Sequence, residues 1–146
     1  MKLNCLRIIC VGSRFVTEDS SGPKVYDYLM NKELPDEISV IDGGLAGLNL
    51  LGLVEGAKRV VFVDSVEGFS SPGDVVVIDI SDAALKADTT FGHNSGLAYL
   101  LKVIPVIMNS QIPEIYLIGI EGKPDKSLIH KAADMSLKIV LGKLEK

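Results

Sequence analysis

Short β-branched runs alternate with longer segments of helical period along most of this sequence. The run Val60–Val63 is apolar without alternation, which is typical of a central strand covered by helices on both faces. Strands that alternate with helices indicate an α/β layer architecture. We therefore predict a three-layer, doubly wound fold, with a mostly parallel five-stranded sheet, one antiparallel strand and helices on both faces.

The predicted elements are bounded by glycine and proline residues. Strands are expected at Cys5–Gly12, Glu37–Asp42, Arg59–Ser65, Asp74–Ile80 and Glu114–Ile120. Helices are expected at Pro23–Lys32, Ala46–Glu55, His93–Asn109 and Ser127–Leu144. Only about eight residues separate the third and fourth strands, too few for a parallel crossover, so we expect that pair to be antiparallel.

Composition limits the class of protein. The 146 residues include 15 Lys and Arg and 19 Asp and Glu, which gives a net charge of −4 and disfavours nucleic acid as a partner. One domain spanning residues 1–146 is expected from this length. The apolar runs break too early to span a membrane. Cys5 and Cys10 are the only cysteines and are expected in the core, so no disulfide framework is available and a cytoplasmic location is expected.

Acidic residues follow three of the predicted strands. Glu18 and Asp19 follow the first strand, Asp42 ends the second and Asp64 ends the third. Open α/β sheets bind ligands beyond the carboxyl ends of their parallel strands, and these ends meet at one edge. If His93 begins its helix at that edge, Asp19, Asp64 and His93 offer two carboxylates and one imidazole, a ligand set suited to a transition metal with open coordination positions.

Each of these residues also has a simpler structural interpretation. Asp19 could cap the helix that follows it. Asp64 could be a solvated acid at a strand end, and His93 could be a cap or loop residue. His130 is expected at the surface. The sequence has no HExxH, GxSxG, CxxC or GxxxxGK[ST] motif, so the common zinc-protease, α/β-hydrolase, thioredoxin and P-loop classes are excluded.

Five short motifs follow one another along nearly the whole chain. They are Gly12-Ser13-x-Phe15-x-x-Glu18-Asp19-x-x-Gly22, Asp42-Gly43-Gly44-x-x-Gly47-Leu48-x-Leu50-Leu51, Val63-Asp64-Ser65, Gly92-His93 and Ile118-Gly119-Ile120. In order and spacing these motifs resemble those of the hydrogenase maturation endopeptidases. Ser13 stands where that family usually has asparagine.

The resemblance implies a doubly wound α/β fold and an aspartic-type endopeptidase. Its substrate would be the large-subunit precursor of a nickel-iron hydrogenase, from which it removes a C-terminal peptide after nickel insertion. The resemblance implies that Asp19, Asp64 and His93 are the metal-binding and catalytic residues. The nickel would be carried by the substrate, with cadmium or zinc as substitutes in vitro.

The resemblance also implies that Asp42, Gly43 and Gly44 contribute to substrate choice. The metal could polarise the scissile carbonyl or activate water, or it could be a recognition tag while a carboxylate acts as base. One alternative function is a non-catalytic, nickel-binding hydrogenase assembly factor with the same site. Another is a spore-protease-like relative that acts on other substrates.

Overall fold

The computed structural model describes residues 5–45, 47–68, 70–79, 100–101, 104 and 112–143. Within these residues, one sheet contains β1 (Leu6–Val11), β2 (Ile38–Gly44), β3 (Arg59–Val66), β4 (Val75–Asp79) and β5 (Glu114–Glu121), in the order β2-β1-β3-β5-β4. The pairs β1–β2, β1–β3 and β3–β5 are parallel, and β4–β5 is antiparallel. The prediction of a mostly parallel sheet with one antiparallel strand and a central third strand is confirmed.

Helices cover both faces of the sheet. The described helices are α1 (Ser21–Met30), α2 (Leu51–Val54) and α3 (Lys126–Val140), and single 3-10 turns lie at Thr17–Asp19 and Leu48–Leu50. Helices α1 and α3 bury their apolar residues against one face of the sheet. The other face packs against α2 and against Leu100, Leu101 and Ile104, which are helical and buried. These two apolar layers enclose the sheet, as the unbroken apolar pattern of β3 predicts.

The last helix begins and ends at specific caps. The side chain of Asp125 accepts a hydrogen bond from the Leu128 amide at 2.8 Å, so α3 begins one residue before the predicted Ser127. Gly142, with a φ of 74°, stops the helix soon after Val140. Arg59 donates to the Val140 carbonyl at 2.9 Å and satisfies one carbonyl of the last turn.

The first helix begins earlier than predicted. It starts at Ser21, so Pro23 lies within the first turn, where a missing amide proton costs nothing. A Cβ atom on Gly22 would lie 2.0 Å from the Val11 carbonyl oxygen. The absence of a side chain at this position therefore lets the first turn of α1 pack directly against the end of β1.

The predicted end of the second strand and the predicted length of the helix after it were both wrong. Gly43 and Gly44 continue β2 past its predicted end at Asp42, because the Gly12 amide donates to the Gly44 carbonyl at 2.9 Å and extends the pairing with β1 past a shift of register. The helix expected at Ala46–Glu55 is shorter: a 3-10 turn precedes the four residues of α2. Gly56 has a φ of 78° shortly after α2, a conformation that glycine commonly adopts where a helix ends.

The fourth strand runs antiparallel to the third, as predicted, but it does not pair with it. Strand β5 lies between them. The Gly73 amide donates to the Glu121 carbonyl at 2.7 Å, and the Glu121 amide donates to the Asp74 carbonyl at 3.0 Å. These bonds join the start of β4 to the end of β5, and β4 is the outermost strand on that side of the sheet.

The remaining predictions concern the two cysteines, His130 and one helix. Cys10 is buried as expected, but Cys5 precedes β1 and is exposed; both are free thiols. His130 is half-buried, because its ring stacks on Tyr28 of α1 with 4.0 Å between ring centroids. Most of the predicted helix His93–Asn109 lies outside the described residues. No helix in the described part of the chain has the length and apolar content needed to cross a bilayer.

Candidate functional site

The loop after β1 is closed by hydrogen bonds around Ser13. The Ser13 amide donates both to the carbonyl oxygen of Asp19, at 2.9 Å, and to its carboxylate Oδ2, at 3.1 Å. The Ser13 Oγ accepts from the Phe15 amide at 3.2 Å, and the Asp19 amide donates to the Val16 carbonyl at 2.9 Å. Ser13 therefore orients the Asp19 carboxylate through its backbone and shapes the turn through its hydroxyl group.

The close approach of Asp19 to the end of β1 also depends on Gly12. Its φ is 144°, a conformation that side chains disfavour. A Cβ atom at this position would lie 2.2 Å from the Asp19 carbonyl oxygen. The first glycine of the motif is thus required for the turn that brings Asp19 back to the strand end.

Asp19 is half-buried, whereas the adjacent Glu18 is exposed. Burial raises the pKa of the Asp19 carboxyl, and the hydrogen bond from the Ser13 amide opposes that rise. Oδ1 of Asp19 has no hydrogen-bond donor among the described residues. The N-cap of α1 is Ser20, and no side chain caps that helix. The interpretation of Asp19 as a helix cap is therefore wrong.

Asp64 lies inside β3 and is only 4% exposed. Its Oδ1 accepts a hydrogen bond from the Ser65 amide at 2.8 Å. The interpretation of Asp64 as a solvated loop acid is wrong. A buried carboxylate is uncommon unless it is paired or binds a cation, since removing its charge from water is costly.

The topology brings Asp19 and Asp64 to the same end of the sheet, where the carboxyl ends of the parallel strands lie. The chain moves from β1 to β2 on one side and then crosses to β3 on the other side of β1. The carboxyl ends of β1 and β3 thus flank the point where the strand order reverses, which is where doubly wound sheets bind ligands. Residues of the turn Thr17–Asp19 approach residues of β3 to within 8 Å between Cα atoms.

Asp42, Gly43 and Gly44 lie at the same edge, on the other side of β1. The Asp42 Oδ1 accepts from the Gly44 amide at 3.2 Å, and Gly44 has a φ of 60°. A Cβ atom on Gly43 would approach the Ile9 side chain to 3.0 Å. His93, the third predicted ligand, lies outside the described residues. Within those residues no three His, Cys, Asp or Glu side chains come together as a metal-binding group.

Arg14 is a residue of this edge that the sequence analysis did not single out. It donates to both carboxylate oxygens of Asp27 on α1, at 2.7 and 2.9 Å, and to Oδ2 of Asp42 at 3.2 Å. Hydrogen bonding from Arg14 lowers the pKa of Asp27. The signal was present: Arg14 is the one cationic residue between Gly12 and Gly22, in a loop bordered by acids.

This arrangement suits a cation supplied from outside. Asp19 has one carboxylate oxygen fixed by a backbone amide and the other open among the described residues, and such outer hydrogen bonds orient metal-ligating carboxylates. Oxygen donors with an imidazole suit divalent transition metals. A half-buried carboxylate with a raised pKa is also suited to accept a proton during hydrolysis.

Comparisons with known proteins agree on one family. The hydrogenase maturation protease family matches residues 23–139 of the chain. A Methanocaldococcus jannaschii protein assigned by name to the hydrogenase maturation proteases is 30% identical over 158 aligned positions, which cover 100% of both chains. The hydrogenase 2 maturation protease of Escherichia coli K12 is 28% identical over 100 residues, covering 66% of this chain and 61% of the relative.

The fold of a solved relative is similar as well. The hydrogenase maturating endopeptidase HybD from E. coli superposes with a TM-score of 0.72 at 21% identity, covering 93% of this chain and 89% of that one. At this identity the likeness supports the α/β fold alone.

Proposed function

The chain belongs to the hydrogenase maturation protease family, and on that premise we propose that it is an endopeptidase that removes the C-terminal extension of a nickel-iron hydrogenase large-subunit precursor. Cleavage follows nickel insertion, and residues 1–146 act as one domain in the cytoplasm. The observation that carries this proposal is the Asp19 carboxylate, which the Ser13 amide fixes in a turn whose residues approach β3, the strand that bears Asp64.

In this proposal nickel is part of the substrate. Asp19, Asp64 and His93 complete the coordination of a nickel ion that the precursor already holds, and cadmium or zinc replaces it in vitro. The open Oδ1 of Asp19 and the buried carboxylate of Asp64 supply oxygen donors, while neutral His93 supplies nitrogen. Recognition of the metal makes cleavage conditional on correct loading.

The glycine-rich end of β2 gives the precursor a second contact. Gly43 and Gly44 leave the strand end free of side chains, so a peptide backbone can approach closely there. Asp42 is held by the Gly44 amide and by Arg14, which fixes its carboxylate beside that approach. We assign substrate choice to Asp42, Gly43 and Gly44.

The chemistry is hydrolysis of one peptide bond. Water adds to the scissile carbonyl carbon while a carboxylate at this edge accepts the proton of the water. The same proton then passes to the leaving amine as the C–N bond breaks, so the enzyme returns to its starting state. Asp19, Asp64 and His93 are the candidate catalytic residues.

The test is incubation of the purified chain with a nickel-loaded large-subunit precursor, followed by mass spectrometry. A defined C-terminal fragment supports the proposal. Stoichiometric binding without any fragment would instead support a non-catalytic, nickel-binding assembly factor and contradict the endopeptidase. The matched control is Asp19→Asn, which keeps the size and shape of the side chain and should release no fragment.

A further inference from the structure

Three apolar side chains are exposed in the loops that follow β1 and β2. Phe15 is 96% exposed, Leu45 71% and Val16 47%. We call Phe15, Val16 and Leu45 the edge patch. Phe15 and Val16 lie in the loop after β1, and Leu45 directly follows β2. Adjacent strand ends thus present the patch at the same edge of the sheet as the proposed site.

The two loops that carry the edge patch are joined to each other. The Gly12 amide bonds to the Gly44 carbonyl at 2.9 Å, and Arg14 donates to Asp42 at 3.2 Å. These contacts link the residues next to Phe15 to the residues next to Leu45.

The backbone beneath Phe15 is fixed before any partner binds. Its amide donates to the Ser13 Oγ at 3.2 Å, and Ser13 is in turn bonded to Asp19. A nearly fully exposed phenylalanine on a hydrogen-bonded turn loses little backbone freedom on binding, which favours its use as an interface anchor.

Charges surround the edge patch. Arg14 contributes one positive charge, and Glu18, Asp27 and Asp42, all exposed, contribute three negative charges. An apolar centre with a charged rim has the anatomy of a protein-protein interface. A net negative rim disfavours nucleic acid and anionic lipid and complements a basic surface.

We propose that the edge patch docks the hydrogenase large-subunit precursor, which presents an apolar pocket bordered by Lys or Arg side chains. The inference rests on the proposed function, because Phe15 lies four residues before Asp19 and the patch continues from the edge where the precursor would be cleaved. Phe15 is a binding residue and takes no part in bond breaking.

The experiment compares wild type, Phe15→Ala, Phe15→Leu and Met30→Ala on the nickel-loaded precursor. Calorimetry gives Kd, and mass spectrometry of the released fragment gives KM and kcat. Phe15→Ala should raise both Kd and KM about tenfold or more and leave kcat within about twofold. Phe15→Leu should retain most of the affinity. Met30, 54% exposed at the opposite end of α1, is the matched control and should match wild type.

Several results would overturn the docking inference. One is wild-type affinity in Phe15→Ala. Another is a fall in melting temperature as large as a core deletion gives, because this chain itself would then cover Phe15. A third is a wild-type dimer, seen by sedimentation, that Phe15→Ala dissociates. Phe15-dependent binding without any released fragment would support docking and contradict the endopeptidase, and a wild type that does not bind the precursor would contradict both.

Discussion

Asp19 and Glu18 are adjacent carboxylates with different surroundings. Asp19 is half-buried and receives the Ser13 amide, and burial raises its pKa, whereas Glu18 is exposed. The positive φ of Gly12 and its contact with the Asp19 carbonyl set the register of the loop. The backbone geometry around Gly12 therefore supports Asp19, rather than Glu18, as the proposed metal ligand.

The first prediction tests that selection. Asp19→Asn should abolish nickel binding and precursor cleavage, because it removes the charge and one oxygen donor while keeping the shape. Glu18→Gln should retain most of both, since an exposed neighbour cannot reach the same position without rearrangement of the turn. Nickel titration calorimetry and mass spectrometry of the precursor measure the two effects. The opposite pattern would shift the motif by one residue and remove Asp19 from the site.

At the scale of elements, Arg14 connects three of them: the loop after β1, helix α1 through Asp27, and strand β2 through Asp42. Both ion pairs are exposed, so their contribution to folding is small. Their effect is geometric, since they fix the loop that carries Asp19 relative to the glycine-rich strand end.

Arg14→Ala should raise the pKa of Asp27 toward its ordinary value, because it removes the hydrogen bond that lowers this pKa. The folded-state pKa of Asp27 is lowered, chiefly by its hydrogen bond to Arg14, so this pair stabilises the fold above the unfolded pKa. That stability is lost as pH falls through the lowered folded value. NMR titration of the Asp27 carboxyl carbon in the wild type and in Arg14→Ala measures the shift. An unchanged Asp27 titration in Arg14→Ala would show that the pair does not persist in solution.

Helices α1 and α3 meet at a ring contact, so we expect His130→Ala to lower stability by about 0.5–1.5 kcal/mol through loss of its stacking on Tyr28. The neighbouring Lys131 is exposed, and Lys131→Ala is the matched control. Thermal or urea unfolding measures the difference. Equal stability of the two variants would mean that the stacking contributes nothing.

Local patterns predicted some elements better than others. The unbroken apolar residues of β3 and the amphipathic pattern of α3 were sufficient to predict both elements, because in them the apolar residues of the sequence are the ones that are buried. The second strand was wrongly predicted to end at Asp42, before Gly43 and Gly44, because pairing with β1 overrides the local preference of these glycines. The position of β4 also depends on a distant strand, β5. Non-local pairing of this kind leaves little trace in a local window.

Some parts of the candidate site were likewise easier to predict from the sequence than others. The proximity of Asp19 and Asp64 to the carboxyl ends of strands could be predicted, because such acids are visible once the strands are known. Their proposed role in the site remains a prediction. The roles of Ser13 and Arg14 were missed, because they depend on which atoms a folded loop brings together. Arg14 lies 28 positions from Asp42 in sequence, and their contact exists only once β1 and β2 pair.

At the scale of the whole molecule, the strand order brings the proposed site residues to one edge of the sheet. The reversal at β1 places the ends of β2, β1 and β3 side by side, and these carry Asp42, Asp19 and Asp64. The apolar layers on both faces hold the strands in place. Under the proposed function, substrate specificity would depend on which part of the precursor binds at that edge.

His93→Ala should abolish nickel or cadmium binding without loss of the fold, if His93 is the third ligand as proposed. Replacing one ligand removes a donor from the metal, and we expect the free energy of unfolding to stay within about 0.5 kcal/mol of wild type, as it usually does for changes outside a core. His130→Ala is the matched control for metal binding and should leave nickel affinity unchanged. Calorimetric titration with nickel and with cadmium measures both variants. Unaltered affinity in His93→Ala would remove His93 from the site.

The last prediction concerns what the enzyme recognises in its partner. A nickel-free large-subunit precursor should not be cleaved, because an open set of three ligands would draw much of its substrate affinity from the metal. Nickel added to the mixture should not bypass loading, since the ion has to be held by the precursor next to the scissile bond. Mass spectrometry of rigorously demetallated precursor, with nickel-loaded precursor as the control, measures the difference. Efficient cleavage of the nickel-free chain would mean that peptide contacts, such as those at the edge patch, are sufficient and that Asp19, Asp64 and His93 do not recognise nickel.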